Sequence, residues 1–371
     1  MEQREHFSEK GVNFIEKILC HFESCFSRKA AFRWFVAITT GLMLRSDKLG
    51  VTSIIRDLAL APGCYEPMLH FFRVSSWSLE DIRKRWYSAV SRYASLYKEG
   101  NLHVLVGDGV KQSKEGRRMP GVKKLFQESG NSAKPGFIHG HMFGGLGILA
   151  GGIRNWACVP LSIRLHDGLQ AAREWEGASV SAASHVVQMV EDAYKAALTF
   201  RDSLLLLDRY FLTVPVLKKL RGLNASGAVH MDIVTKAKKP CTAYQKPGPR
   251  KPGRGRPPKK GEPAPLKCVK GEKPRRKVLE AVRAIEMHMV LSCIAMGILQ
   301  SLSIRYIGKI SSSQIRYQRT PSKGRVSEAT LMHYFRKHFF RLLGQEPGLR
   351  ITQIIQGLQK EPGEQWDSMV S

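Results

Sequence analysis

Ser203-Leu204-Leu205-Leu206-Leu207-Asp208 is a short unbroken apolar run that ends on an acid. A run of this length and composition reads as a strand buried on both faces in the middle of a sheet. Upstream of it, Glu174 to Phe200 places Val180, Val187, Val190, Ala193 and Ala197 near one helical face. Downstream, a helix from about Thr213 to Arg221 and a strand over Ala228–Thr235 are expected. Further upstream, Leu102-His103-Val104-Leu105-Val106-Gly107 is β-rich and is expected to stop at Asp108-Gly109. After a polar loop, Phe137–Leu149 and Trp156–Leu165 read as two longer strands joined by a hairpin at Ala150–Asn155. The resulting order is strand, strand, strand, helix, strand, helix, strand, which predicts an α/β core with a mixed sheet and flanking helices. Two of its strands are expected to end on aspartates, Asp108 and Asp208. A carboxylate there sits on rigid backbone at the sheet rim, within reach of a metal ion and a phosphate chain. Read alone, each aspartate is better taken as a turn residue that hydrogen-bonds its own backbone.

Around this core, residues 1–98 carry apolar positions at helical spacing and predict an all-α domain. Within it, Val51–Leu60, a break at Ala61-Pro62-Gly63, and Tyr65–Arg73 form two short helices about a tight turn. That pair fits a DNA-binding helix-turn-helix or a plain helical hairpin. The core is assigned to residues 99–236. Residues Lys236–Lys277 then hold sixteen Lys or Arg and nine prolines against two acids, so 237–275 is expected to be a disordered basic linker. A helical segment over 276–345 follows, and 346–371 reads as a loose tail.

The chain has 371 residues with 59 Lys plus Arg against 31 Asp plus Glu, a net charge of +28. Such an excess favours a polyanionic partner, and nucleic acid is the expected one. The longest apolar runs, near Met142–Gly152 and Met289–Ile304, read as too short and interrupted to cross a bilayer, so no membrane role is expected. The polar start carries no secretory signal, which predicts a cytoplasmic protein. The seven cysteines are scattered and never spaced as C-x2-C, against a disulfide framework or a zinc site.

The block Asp108-Gly109-Val110-Lys111-Gln112-Ser113-Lys114-Glu115-Gly116-Arg117-Arg118-Met119-Pro120-Gly121-Val122-Lys123-Lys124 resembles the segment around the first catalytic aspartate of bacterial insertion-sequence transposases of the DDE, RNase H-like type. Leu206-Leu207-Asp208-Arg209-Tyr210-Phe211 is similar to the second, and Arg283–His288 through Gly297–Gln300 resembles the C-terminal helix of the same group. The resemblance implies an RNase H-like core, Mg2+ (or Mn2+) held by Asp108 and Asp208, and cleavage and strand transfer at insertion-sequence ends in double-stranded DNA. It also implies a nucleoid-associated bacterial protein that assembles as a homo-oligomer on DNA. Such transposases continue after a Gly-Arg-Pro-Pro-Lys linker to a helix reading Y-x2-R-x3-E-x6-K, and no tyrosine here starts that pattern. The chain reads as internally deleted, with Glu286, or Glu280 as its rival, standing in the place of the third catalytic carboxylate. The alternative is a non-catalytic DNA-binding remnant. Expected DNA contacts are Lys111, Lys114, Arg117, Arg118, Lys123 and Lys124 beside the first aspartate, and Arg254, Arg256, Lys259 and Lys260 in the linker. There, Arg254-Gly255-Arg256-Pro257 resembles a minor-groove hook, although a generic charged linker fits as well.

Overall fold

The computed structural model describes residues 2–47, 50–73, 76–116, 122–126, 136–152, 155–166, 184–225, 227–236, 278–306 and 326–360, with 2–9 and 278–282 given as helix backbone. The linker 237–275, with Arg254, Arg256, Lys259 and Lys260, lies outside the described residues, as do Arg117 and Arg118. The chain opens with helices α1 (Glu2–Cys20), α2 (Lys29–Leu44), α3 (Val51–Asp57), α4 (Tyr65–Phe71) and α5 (Leu79–Tyr93). α2 is apolar nearly all round because it is buried on most sides, with Phe32, Phe35, Val36, Ile38 and Leu42 in the core. α5 starts where the sequence favours a start: the Ser78 side chain accepts from the Asp81 N–H, and Glu80 and Asp81 occupy the positive end of the helix. The expected break between α3 and α4 is a single 3-10 turn over Pro62–Cys64.

Among the described residues the sheet has seven strands: β1 (Lys98–Glu99), β2 (Leu102–Ser113), β3 (Lys123–Phe126), β4 (Phe137–Ala150), β5 (Ala157–Leu165), β6 (Ser203–Leu207) and β7 (Met231–Thr235). Its path is β4-β2-β6-β7, with β3 and β5 both on the outer edge of β4 and β1 paired to β2. β4 runs antiparallel to β2 and β5, whereas β6 is parallel to both β2 and β7. The sheet is therefore mixed, as expected, and β6 is central, with Leu205 fully buried.

The expected end of β2 at Asp108 is overturned. β2 keeps its register with β4 from Leu105↔Ile148 to Ser113↔Gly140, although its pairing with β6 ends at Gly107↔Leu207. A long partner on one side sustains the strand after the short partner on the other has turned away. The Lys-rich β3 replaces an expected loop, because its four residues are ordered by β4 and carry little strand signal of their own.

Helix α6 (His185–Phe200) connects β5 to β6, and α7 (Val214–Ala225) connects β6 to β7. Side chains of α6 reach the sheet at two glycines of β2: Met189 lies against Gly107 and His185 against Gly109. The expected helical start near Glu174 lies outside the described residues. α8 (Val278–Arg305) then runs along β5. Its stretch Arg283–Arg305 is long and apolar enough to cross a membrane, contrary to the expectation of shortness, and 67% of its most apolar window is buried in the core.

Two further helices, α9 (Glu328–Gln345) and α10 (Arg350–Gln359), return to the N-terminal ones. Arg350 forks onto the Glu23 carboxylate at 2.6 and 2.7 Å, and the Leu358 carbonyl accepts from the Ala61 N–H at 3.0 Å. The loose tail expected after Gln345 is thus a packed helix as far as Gln359, with Ile351 and Ile355 buried.

Candidate functional site

The register of β2 and β6 determines the relation between the two aspartates. Gly107 pairs with Leu207, so Asp108, still on β2, and Asp208, the first residue past the end of β6, each follow a paired position where the strands part. The odd-numbered Gly107 and Gly109 face α6, so alternation along β2 turns Asp108 to the opposite face. Both aspartates are exposed. Asp108 Oδ1 accepts from the Gly109 N–H at 2.7 Å, and Asp208 Oδ1 accepts from the Tyr210 N–H, capping the 3-10 turn Arg209–Phe211. One oxygen of each carboxylate is thereby fixed by backbone. The other has no hydrogen-bond or ion-pair partner among the described residues. In donor chemistry two exposed carboxylates, on β2 and just past the end of β6, suit a divalent ion such as Mg2+, which takes oxygen ligands and retains part of its water shell. A cluster of three or more metal-ligating side chains is not found among the described residues.

Glu286 is not brought to this pair. It projects from α8 to the end of β5, where its carboxylate accepts from the Leu165 N–H at 3.0 Å and pairs with Arg83 at 3.3 Å. β4 lies between β5 and the strand of Asp108. The physical reason is Arg83, whose side chain is only 4% exposed and needs counter-charge, since a buried unpaired charge is costly. Glu280 lies in the first turn of α8, and its side chain falls outside the described residues.

Arg83 opens a chain of ion pairs and hydrogen bonds that no sequence pattern announced. Arg83 reaches Glu80 at 3.5 Å, Glu80 reaches Arg164 at 2.8 Å, and Arg164 reaches Asp192 at 3.2 Å. Asp192 continues to His166 at 3.2 Å, and His166 to His185 at 2.6 Å. These groups come from α5, β5, α6 and α8, and several line a cavity of about 900 Å3. Burial acts to raise the pKa of Asp192, but the hydrogen bond from His166 and the charges of Arg164, His166 and Lys195 outweigh it and hold the carboxyl below its usual range. Glu80 is held low in the same way, burial being outweighed by Arg164 and Arg83. The network ends behind the aspartates, because His185 lies against Gly109.

The expected DNA-contacting lysines gather on the projecting part of the sheet. Lys111 donates to the Phe126 carbonyl at 2.7 Å, joining β2 to β3, and the Lys124 ammonium stands 4.6 Å from the centre of the Phe137 ring. Lys123 is on β3 beside Gly140, and Lys114 is exposed just beyond β2.

Two exposed carboxylates, one on β2 and one just past the end of β6, thus stand where two neighbouring central strands part, in a chain of net charge +28. A family model described as DDE superfamily endonuclease matches residues 21–289, well over half of the chain, and the chain belongs to that family. Neither the curated proteins nor the solved structures yield a match. Members of such a family act as DDE-type transposases or nucleases, generally with divalent metal and on DNA.

Proposed function

We propose that this chain is a bacterial DDE transposase with an RNase H-like core, cutting and joining DNA at insertion-sequence ends, and that Asp108 and Asp208 hold its Mg2+ or Mn2+. The observation that supports this reading is the parallel register of β2 and β6, whose last pair, Gly107 and Leu207, is followed by one of the two aspartates on each chain segment. The strand arrangement, an antiparallel β5-β4-β2 followed by parallel β6 and β7, supports the RNase H-like reading. A divalent ion bound there would supply activation of the attacking oxygen and stabilisation of the leaving one. The protein's part is positional. Asp108 and Asp208 present oxygens already oriented by the Gly109 and Tyr210 N–H groups, and Lys111, Lys114, Lys123 and Lys124 draw the phosphate chain along β2 and β3. The chain works in the cytoplasm at the nucleoid, on double-stranded DNA and as a homo-oligomer.

A second reading, a DNA-binding remnant that no longer cleaves, is favoured by one observation: Glu286 is occupied by Arg83 and the Leu165 N–H. The two readings part in a nicking assay on a plasmid bearing the DNA that flanks the gene. The transposase reading expects Mg2+-dependent nicking that Asp108→Ala and Asp208→Ala each abolish, with DNA affinity kept. Binding without nicking in the wild-type chain favours the remnant. Were nicking to depend on Glu286, Glu286→Gln would reduce it together with stability, because Arg83 would lose a partner.

A further inference from the structure

Between the α3–α4 pair and the sheet face that carries Asp108 lies a cavity of about 690 Å3. Three cations line it, Arg45, Arg73 and Lys114, and no Asp or Glu does so among the described residues. None of the three cationic side chains has an ion-pair partner among the described residues. The larger cavity beside Glu286 is different, since Arg83 and Arg164 there are neutralised by Glu80, Glu286 and Asp192.

Unpaired positive charge beside low-dielectric walls concentrates field and attracts an anion. The walls here include Val110, Phe72 and His288, and the rings of Phe72 and His288 lie 6.2 Å apart with a 40° tilt. His288 is held below its ordinary pKa by burial and then by the charges of Arg45 and Lys114, so those charges converge on the ring. An anion that also carries a flat apolar body is therefore complementary. The volume is within the ~300–1,000 Å3 range of small-ligand sites, whereas a double helix, whose major groove alone is about 12 Å wide, does not enter. Val110 is two residues beyond Asp108 on the same face of β2, roughly 6.8 Å along the strand.

We propose that this cavity seats one unstacked nucleotide of a DNA strand, its base against Phe72 and His288 and its phosphates on Arg45, Arg73 and Lys114, next to Asp108. The proposal rests on the nuclease reading and adds to it a place where the strand leaves the duplex near the aspartates. Stacking on aromatic side chains holds any base, so the pocket tolerates sequence.

The test is a binding measurement in EDTA, which separates it from cleavage. The probe is a single-stranded oligothymidine with one central 2-aminopurine, followed by anisotropy and by 2-aminopurine fluorescence, with folding of each variant checked by circular dichroism. Wild-type protein is expected to bind the oligonucleotide and quench the 2-aminopurine. The exposed pair Arg73→Ala with Lys114→Ala is expected to weaken binding about tenfold and to flatten the salt dependence by ~1.4 in log–log slope, at about 0.7 per neutralised phosphate. Val110→Trp, at an exposed position that fills the opening, is expected to remove the quenching. Unchanged affinity and quenching in both folded variants would overturn the proposal. So would displacement of the oligonucleotide by a polyglutamate peptide at lower concentration than unlabelled oligothymidine, since the occupant would then be an acidic peptide. Quenching without any plasmid nicking would uphold the cavity and count against the nuclease reading alone.

Discussion

Gly144 shows how one hydrogen atom in place of a methyl group supports the polar network behind the aspartates. A Cβ at this position would overlap the His166 ring, which lies over the strand at that point. Gly144→Ala is expected to displace His166 from Asp192 and His185 and to cost roughly 1–3 kcal/mol, as overpacking usually does, measurable by urea unfolding. Wild-type stability in that variant would mean that the ring swings away freely. The carboxylates of the same network make stability depend on acid. Asp192 and Glu80 are both held below their usual pKa, so their contribution is fully present above the ordinary carboxylate range and is lost as pH falls through the depressed values. Asp192→Asn is expected to cost up to roughly 3–5 kcal/mol at pH 7, since it leaves the partly buried Arg164 short of counter-charge. That difference should shrink in unfolding curves taken at progressively lower pH. A difference that persists undiminished into strong acid would show that the network is not the acid-sensitive element.

Gly297 in α8 poses the opposite test, because helix propensity and packing disagree. Replacing a helical glycine by alanine gains about 1 kcal/mol in an isolated helix. Here the added methyl would run into the Trp86 ring, where α8 packs against α5 and Val159. Gly297→Ala is therefore expected to lower the thermal midpoint despite the better propensity, and a raised midpoint would show that Trp86 yields. How well each element can be read from sequence follows from where its order comes from. β6 matches the expected Ser203–Leu207 residue for residue, because a run of leucines between a helix and an aspartate has one plausible place, the middle of the sheet. β2 reads too short in the sequence, since the order of its last residues comes from β4 and not from their own polar composition. α10 carries a legible signal beneath polar surroundings that suggest a loose end: Ile351, Ile354, Ile355 and Leu358 follow helical spacing and are all buried.

Across the chain, the net charge of +28 is not spread by the fold alone, since sixteen of the basic residues lie in Lys236–Lys277. Deleting that segment is expected to flatten the salt dependence of duplex binding by about 0.9 in log–log slope for each phosphate it neutralises. An unchanged slope would show that the segment does not touch DNA. That each aspartate follows an apolar run is legible in the sequence, whereas the ion network is not, because Arg83, Arg164, Asp192 and Glu286 meet only after helices and sheet have packed. Glu286, which the sequence offers with Glu280 as a stand-in for a third carboxylate, is paired with the buried Arg83, and that pairing is invisible in the sequence for the same reason. β2 and β6 bring residue 108 and, just past β6, residue 208 to the point where these two neighbouring central strands part. Mn2+ uptake followed by electron paramagnetic resonance, on the wild-type chain and on Asp108→Ala, Asp208→Ala and Glu286→Gln, tests that pairing most directly. Uptake by the wild type and by folded Glu286→Gln, with loss in either aspartate variant, is the predicted result; Mn2+ affinity that survives in both aspartate variants would contradict it.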